Sequence, residues 1–233
     1  MNEETPSLPV LVAGGGIGGL AAALALTRQG MKVTVLEQAA ELGEIGAGIQ
    51  LGPNAFAAFD ALGVGPKARA RAVYTDEMVM HDALDESLVG RIPVGEAFRQ
   101  RFGNPYAVIH RADVHLSLLE GAQHSERIEV ATSTTVQRVE QDDEGVTVFD
   151  AQGGRHRGLA LIGADGVKSA VRRQLVGDEA FFGALNFYLK KHEFTAVEAD
   201  ELRMAFEDFI GEDLNWFWDQ WFFDKGWPNI NVN

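Results

Sequence analysis

The sequence predicts an α/β fold of three layers, incomplete toward its C-terminal side and followed by an all-α segment of three helices. Three observations carry this. An apolar strand, Val10-Leu11-Val12-Ala13, runs into a glycine turn and a helix, and a second strand, Val33 to Leu36, ends at Glu37. Short β-like runs separated by turn residues follow between residues 73 and 162. From residue 178 onward, apolar residues recur at helical spacing instead.

Gly14, Gly16 and Gly19 stand in G-x-G-x-x-G spacing. Gly14 permits a tight turn, Gly16 lets a pyrophosphate approach the backbone, and Gly19 lets helix and strand pack closely. The helix that starts here, through Ile17 and Gly18, aims unpaired N–H groups and its positive end at phosphates. Glu37, eighteen residues past Gly19, stands where an acid takes ribose hydroxyls. Glycine turns are common, so the spacing alone is weak. Here it continues through Ala23 and Leu26 on one helix face, Gly30 as C-cap and Val33 pointing into the sheet. The result is a Rossmann-like unit holding an ADP moiety. FAD and NAD both carry one, and the motif does not choose between them.

Composition narrows the classes. The 233 residues are long enough for a real core, and 46% hydrophobic with 23% charged residues is ordinary for a globular chain. A net charge of −14 argues against nucleic acid as a partner. The absence of cysteine excludes disulfides, thiolate metal sites and cysteine nucleophiles. The acidic N-terminus lacks the basic flank of a signal peptide, and no eighteen-residue apolar span occurs, so a cytoplasmic protein without membrane insertion is expected. Residues 178–233 hold all four tryptophans, nine of fourteen phenylalanines, and twelve acidic against four basic residues. Such a shift marks a boundary, and the expected domains are 1–177 and 178–233.

Between these landmarks, residues 43–54 read as a glycine-rich loop, Pro53 to Leu62 as a short helix, and 73–81 and 87–92 as strands. Ala107 to His110 is a strand, and Arg111 opens a helix over 112–122. Four β-like runs follow, with hairpin turns at 142–145 and 152–154. The last strand, Leu159 to Ile162, enters Gly163-Ala164-Asp165-Gly166, a second place for phosphate or ribose contacts, although Asp-Gly alone is more often structural.

Residues 8–178 resemble the single-component, FAD-dependent aromatic hydroxylases of the salicylate hydroxylase and 3-hydroxybenzoate 6-hydroxylase kind. The resemblance rests on Gly14 to Glu37, on Gly46-Ala47-Gly48-Ile49-Gln50-Leu51-Gly52-Pro53-Asn54-Ala55, on Ile109-His110-Arg111-Ala112-Asp113, and on Gly163-Ala164-Asp165-Gly166-Val167-Lys168-Ser169, in that order. Gly103-Asn104-Pro105-Tyr106 looks most like the 3-hydroxybenzoate 6-hydroxylase branch. The resemblance implies FAD on the glycine turn and Glu37, Arg111 toward the flavin's phosphate and ribityl side, and Asp165-Gly166 at the pyrophosphate and the pyridine-nucleotide side. Gln38, Gly48, Ile49, Gln50 and Val136 complete the implied cofactor contacts. It also implies NADH or NADPH as transient reductant, with O₂ forming a flavin C4a-hydroperoxide that hydroxylates a small phenolic aromatic acid. His110 and His115 invite a role in phenol activation. His115 reads rather as a solvated or packing residue, and neither is assigned a role; the catalytic residues stay unknown.

Residues 178–233 depart from that family. They show helical patterns over 180–191, after the capping-box spacing Thr195-Ala196-Val197-Glu198, and over 214–223. Ala180 to Leu189, Asp200-Glu201-Leu202-Arg203 and Asp213 to Trp221 resemble the C-terminal helical region of aminopeptidase N-like zinc metallopeptidases. His192-Glu193 begins an H-E-x-x-H motif, but position 196 is alanine, so no zinc site and no peptidase activity are expected. The Trp/Phe run carries acidic rather than basic residues, which argues against a membrane-surface helix. The expectation is a chimera that switches pattern near Val176-Gly177-Asp178, with impaired hydroxylase activity; a genuine flavoprotein with divergent C-terminal helices is the rival.

Overall fold

The first strand, β1 (Val10–Ala13), is apolar on both faces and buried throughout, as a central strand covered on two sides must be. In this computed structural model, which describes residues 8–43, 46–193, 195, 199–211 and 213, it leads into α1 (Ile17–Arg28). Gln29 caps that helix, and Gly30 follows at φ +83°, the left-handed position expected for a glycine past a helix end. β2 (Val33–Leu36) then pairs parallel with β1.

The glycine-rich stretch expected as a loop contains a strand, β3 (Gly48–Leu51). It is followed by α2 (Pro53–Ala61) with proline in its first turn, then α3 (Gly65–Arg71). The single strand expected over 73–81 is two, β4 (Val73–Tyr74) and β5 (Glu77–His81), which join different sheets. β6 (Leu88–Pro93), α4 (Glu96–Phe102), β7 (Ala107–His110) and α5 (Arg111–Gln123) follow. Next come β8 (Ile128–Ala131), β9 (Val136–Asp142), β10 (Gly145–Asp150), β11 (Arg155–Gly158), β12 (Ala160–Gly163) and α6 (Ala170–Leu175).

Four strands form a parallel sheet in the order β12-β1-β2-β8. Strand alternation sorts its side chains. Val12, Val33 and Val35 gather with Ala23 of α1 on one face, whereas Leu11, Ala13 and Leu36 pack with Val139, Val146 and Val148 of the antiparallel sheet β11-β10-β9. Helices, parallel sheet and antiparallel sheet are thus the three expected layers. A further cluster joins Leu20 and Leu24 to Phe56, Val114 and Leu118, tying α1 to α2 and α5. Leu20 and Leu118 are fully buried, and truncating either to alanine would cost about 2–5 kcal/mol. β3, β7 and β4 form a separate antiparallel sheet, and β5 with β6 a two-stranded one.

The chain divides into two compact units after Val171, a few residues before the expected step at 177/178. In the second unit, α7 (Asp178–Lys191) and α8 (Ala199–Ile210) match the first two helical patterns. Phe181 meets Phe206 at 5.6 Å and Phe187 meets Phe209 at 6.2 Å between ring centroids. Asp178, in the first turn of α7, accepts from Arg172 and Arg173, both at 2.8 Å. Gly211 follows α8 at φ +81°. The capping-box spacing lies mostly, and the third helix (214–223) wholly, outside the described residues. No helix among the described residues is long and apolar enough to cross a membrane, and none of their His, Cys, Asp and Glu side chains cluster as a metal site would need.

Candidate functional site

The glycine turn sits at the carboxyl end of β1, between the ends of β2 and β12. Gly14 donates its N–H to Leu36 O at 2.8 Å and has φ +103°, a conformation that side chains avoid. A Cβ there would collide with the Ala164 carbonyl, 2.8 Å from its carbon, so the Asp165-Gly166 turn lies directly on the first turn. The parallel register that pairs Ala13 with Gly163 brings the two turns together. At Gly19 a Cβ would strike the Gly14 carbonyl oxygen, which is the close helix–strand approach that the spacing predicts. Gly16 is the N-cap of α1 at φ −73° and ψ −175°; Ile17 is half-buried and Gly18 exposed. The first N–H groups of α1 have no acceptor within the helix and face the space before it.

Glu37 closes the other side. Its Oε2 accepts the Gly15 N–H at 2.6 Å, and its Oε1 accepts the Ala39 N–H at 2.7 Å. The carboxylate is fixed against the turn, with lone pairs left for a further donor such as a ribose hydroxyl. Gln38 is exposed beside it. Glu37 O accepts from Thr134 N at 2.8 Å, which draws the start of β9 to the site; Val136 packs there against the cluster of Leu11, Ala13 and Leu36. A cleft of about 180 Å³ is lined by Gly15, Gly16, Glu37, Ala39, Glu41, Leu42, Gly43 and His115.

Asp165 is engaged by its own helix. Its Oδ1 accepts the Ser169 hydroxyl at 2.5 Å, and its Oδ2 accepts the Ala170 and Val171 N–H groups at 2.7 and 3.2 Å. It acts as a cap for α6, and the turn it stabilises presents Gly166, exposed at φ +77°.

Gly48, Ile49 and Gln50 lie on β3, paired antiparallel with β7 so that Gly48 faces His110 and Gln50 faces Val108. Arg111 opens α5 and donates its backbone N–H to Ala47 O at 3.1 Å; a Cβ on Gly46 would come within 2.8 Å of the Arg111 Cβ. The same first turn carries Asp113, whose negative charge suits the helix N-terminus. This second group is joined to the glycine turn by α5 itself. His115 stands one turn after Arg111 on the same helix face, and its Nε2 lies 2.8 Å from Gly15 O.

Of the two expectations for His115, solvated or packing, the structure shows the packing one, with a contact to the glycine turn that the local pattern does not disclose. It is 3% exposed and lines the cleft, so it is not solvated. The available signal was its i, i+4 spacing from Arg111. His110 is exposed and faces Gly48 across the strand pair. The remaining predicted positions gather as two patches, Gly14 to Gly19 with Glu37, Val136 and Asp165-Gly166, and Gly48 to Gln50 with Arg111.

This chain belongs to the FAD binding domain family, which matches residues 7–209. It is 74% identical over 180 residues to 3-hydroxybenzoate 6-hydroxylase of Polaromonas naphthalenivorans (strain CJ2), covering 77% of this chain and 45% of that protein. It is 55% identical over 168 residues to 3-hydroxybenzoate 6-hydroxylase of Klebsiella oxytoca, covering 72% and 42%. Among solved structures it is similar to Klebsiella pneumoniae HpxO complexed with FAD and uric acid, at TM-score 0.62 and 28% identity over 73% of this chain and 42% of that one. The chain therefore spans less than half the length of the curated relatives that it matches. The family match also runs past Asp178 and includes α7 and most of α8.

Proposed function

We propose that this chain is the FAD-binding part of an NADH- or NADPH-dependent monooxygenase that hydroxylates a small phenolic aromatic acid of the 3-hydroxybenzoate or salicylate kind. The observation that carries this is the convergence of the Gly14–Gly19 turn, Glu37 and the Asp165-Gly166 turn at the carboxyl ends of three adjacent parallel strands. The residues fit the cofactor's ADP half: a turn that only glycine can make, a helix N-terminus for phosphate, and a fixed carboxylate for ribose hydroxyls. Ile17, Gly18, Gln38 and Val136 flank that half, while Gly48, Ile49, Gln50 and Arg111 serve the phosphate and ribityl side. Bound FAD would supply oxygen activation once the pyridine nucleotide has reduced it. The chain's own work is to hold the pyrophosphate, orient the ribose and keep the α5 N-terminus beside the phosphates.

The chain taken by itself is expected to be impaired in hydroxylation. The matched part covers 45% of the Polaromonas relative, and the predicted site residues gather at the ADP half and at the phosphate and ribityl side, with none assigned to the reacting ring. The oxygen chemistry that bound FAD would supply needs water kept from the reacting ring. The test is the flavin absorbance of the purified chain with added FAD, then with NADH and 3-hydroxybenzoate. A bound, shifted flavin spectrum with NADH consumption and peroxide release is expected. Protein that holds no flavin under saturating FAD would refute the reading.

A second reading makes the chain a non-catalytic chimera whose residues 178–233 come from a zinc aminopeptidase scaffold. The compositional step and the division after Val171 favour it; the family match through residue 209 weighs against it. Ring hydroxylation stimulated by an aromatic acid would dispose of it.

A further inference from the structure

We infer that His115 is a positioning residue of the cofactor site, an assignment that rests on the FAD reading above. Gly15 is held through both of the peptide groups that flank it. Its N–H is donated to Glu37 Oε2 at 2.6 Å, and its carbonyl accepts from His115 Nε2 at 2.8 Å, the imidazole therefore carrying its proton on Nε2. In a planar trans peptide the carbonyl and the following N–H point in opposite directions. Anchoring the Gly15 carbonyl on α5 therefore turns the Gly16 N–H away from α5. That N–H belongs to the glycine whose backbone a pyrophosphate must approach. His115 is buried and lines the same cleft as Gly15, Gly16 and Glu37, so the bond is shielded from water.

The bond also has a partner in the sequence. Arg111 lies one turn earlier on the same face of α5. Fixing His115 on the turn fixes the distance between the turn's N–H groups and the start of α5. Two anion-directed elements separated by almost a hundred residues are thereby set to one spacing. Nothing in the side chain's chemistry requires it to touch the cofactor.

Leucine fills much of the histidine volume but offers no donor, whereas glutamine carries an N–H the same number of bonds from Cβ. In His115→Leu the FAD dissociation constant, read by flavin fluorescence well below the melting temperature, is expected to rise about tenfold, the loss of one buried hydrogen bond. His115→Gln should stay within about threefold of the wild type. A leucine variant that binds FAD as the wild type does would overturn the assignment. So would a glutamine variant as weak as leucine whose apoprotein melts with the wild type. An independent arm uses unaltered apoprotein: ¹⁵N spectra of the imidazole should show the Nε2–H tautomer, and the Nδ1–H tautomer would remove the bond on which the inference stands. Wild-type protein that binds no FAD would instead sink the functional reading, so the two failures are told apart.

Discussion

Glu37 and Gly15 lie 22 residues apart in the chain and 2.6 Å apart in space, carboxylate oxygen to amide nitrogen. The residue expected to hold a ribose thus also braces the turn expected to hold the pyrophosphate. Glu37→Ala removes the ribose acceptor and two charge-assisted bonds to the backbone, each worth about 1.5–3 kcal/mol. FAD affinity should fall by about 10- to 100-fold in an equilibrium titration. Gly16→Val tests the same site differently. Gly16 has φ −73° and ψ −175°, which valine adopts without strain, so the apoprotein should melt close to wild type while FAD binding is lost. Unchanged affinity in both variants would mean that the glycine turn is not the site.

Gly14 and Gly18 separate backbone need from ligand need. Gly14→Ala places a methyl group against the Ala164 carbonyl at φ +103°, so destabilisation of at least about 2 kcal/mol is expected, visible as a fall in the thermal midpoint. Gly18 lies in α1, and a Cβ added there meets nothing within 4 Å. Gly18→Ala should raise apoprotein stability by about 0.5–1 kcal/mol, the ordinary helix gain. If that variant also loses FAD affinity, the missing methyl serves the cofactor and not the helix.

These two sites show what the sequence made legible. Gly14 to Glu37 could be read because a fixed spacing, an unusual φ and a strand end coincide on contiguous residues. β3 could not: its alternation is obscured by glycine, and it forms because β7, about sixty residues later, supplies its hydrogen bonds. α4 was invisible for a related reason, since none of its residues is buried and no apolar stripe marks it. The packing alternative for His115 holds, but its partner is a backbone carbonyl one hundred residues away, which leaves no trace in local pattern.

The β9–β10–β11 sheet carries an acid-sensitive pair of turns. Arg157 holds the Asp142 carboxyl down to about 2, helped by the Glu144 N–H. Asp150 is also lowered, first by His156 at 2.8 Å and then by the Gly154 and Gln152 N–H groups. Both carboxyls titrate lower in the folded chain than in the unfolded one, where the value is about 3.9. Their contribution is therefore complete above about pH 4 and is lost as pH falls toward the folded values. Carboxyl ¹³C titration should place Asp142 near 2. Asp150→Asn should flatten the decline of the thermal midpoint below pH 4; an unaltered decline would exclude the Asp150–His156 contact as its source.

The β5–β6 hairpin presents apolar side chains to solvent. Met78 pairs with Ile92 and Met80 with Gly90, so Met78, Met80 and Ile92 share one face; Met80 is 65% and Ile92 54% exposed. Leu84, in the connection between the strands, is 96% exposed. A two-stranded sheet is marginal by itself, and among the described residues no further strand pairs with its outer edges beside that face. The expected consequence for this chain in solution is concentration-dependent self-association. Replacing Met80 and Ile92 by lysine places charge on the face without touching the core, so the thermal midpoint should move little, within about 0.5 kcal/mol per site. Sedimentation velocity should then shift from associated species toward monomer, with at least about tenfold weaker association. Wild-type protein that sediments as a clean monomer at the same concentration would show that the exposed face does not drive contact between copies.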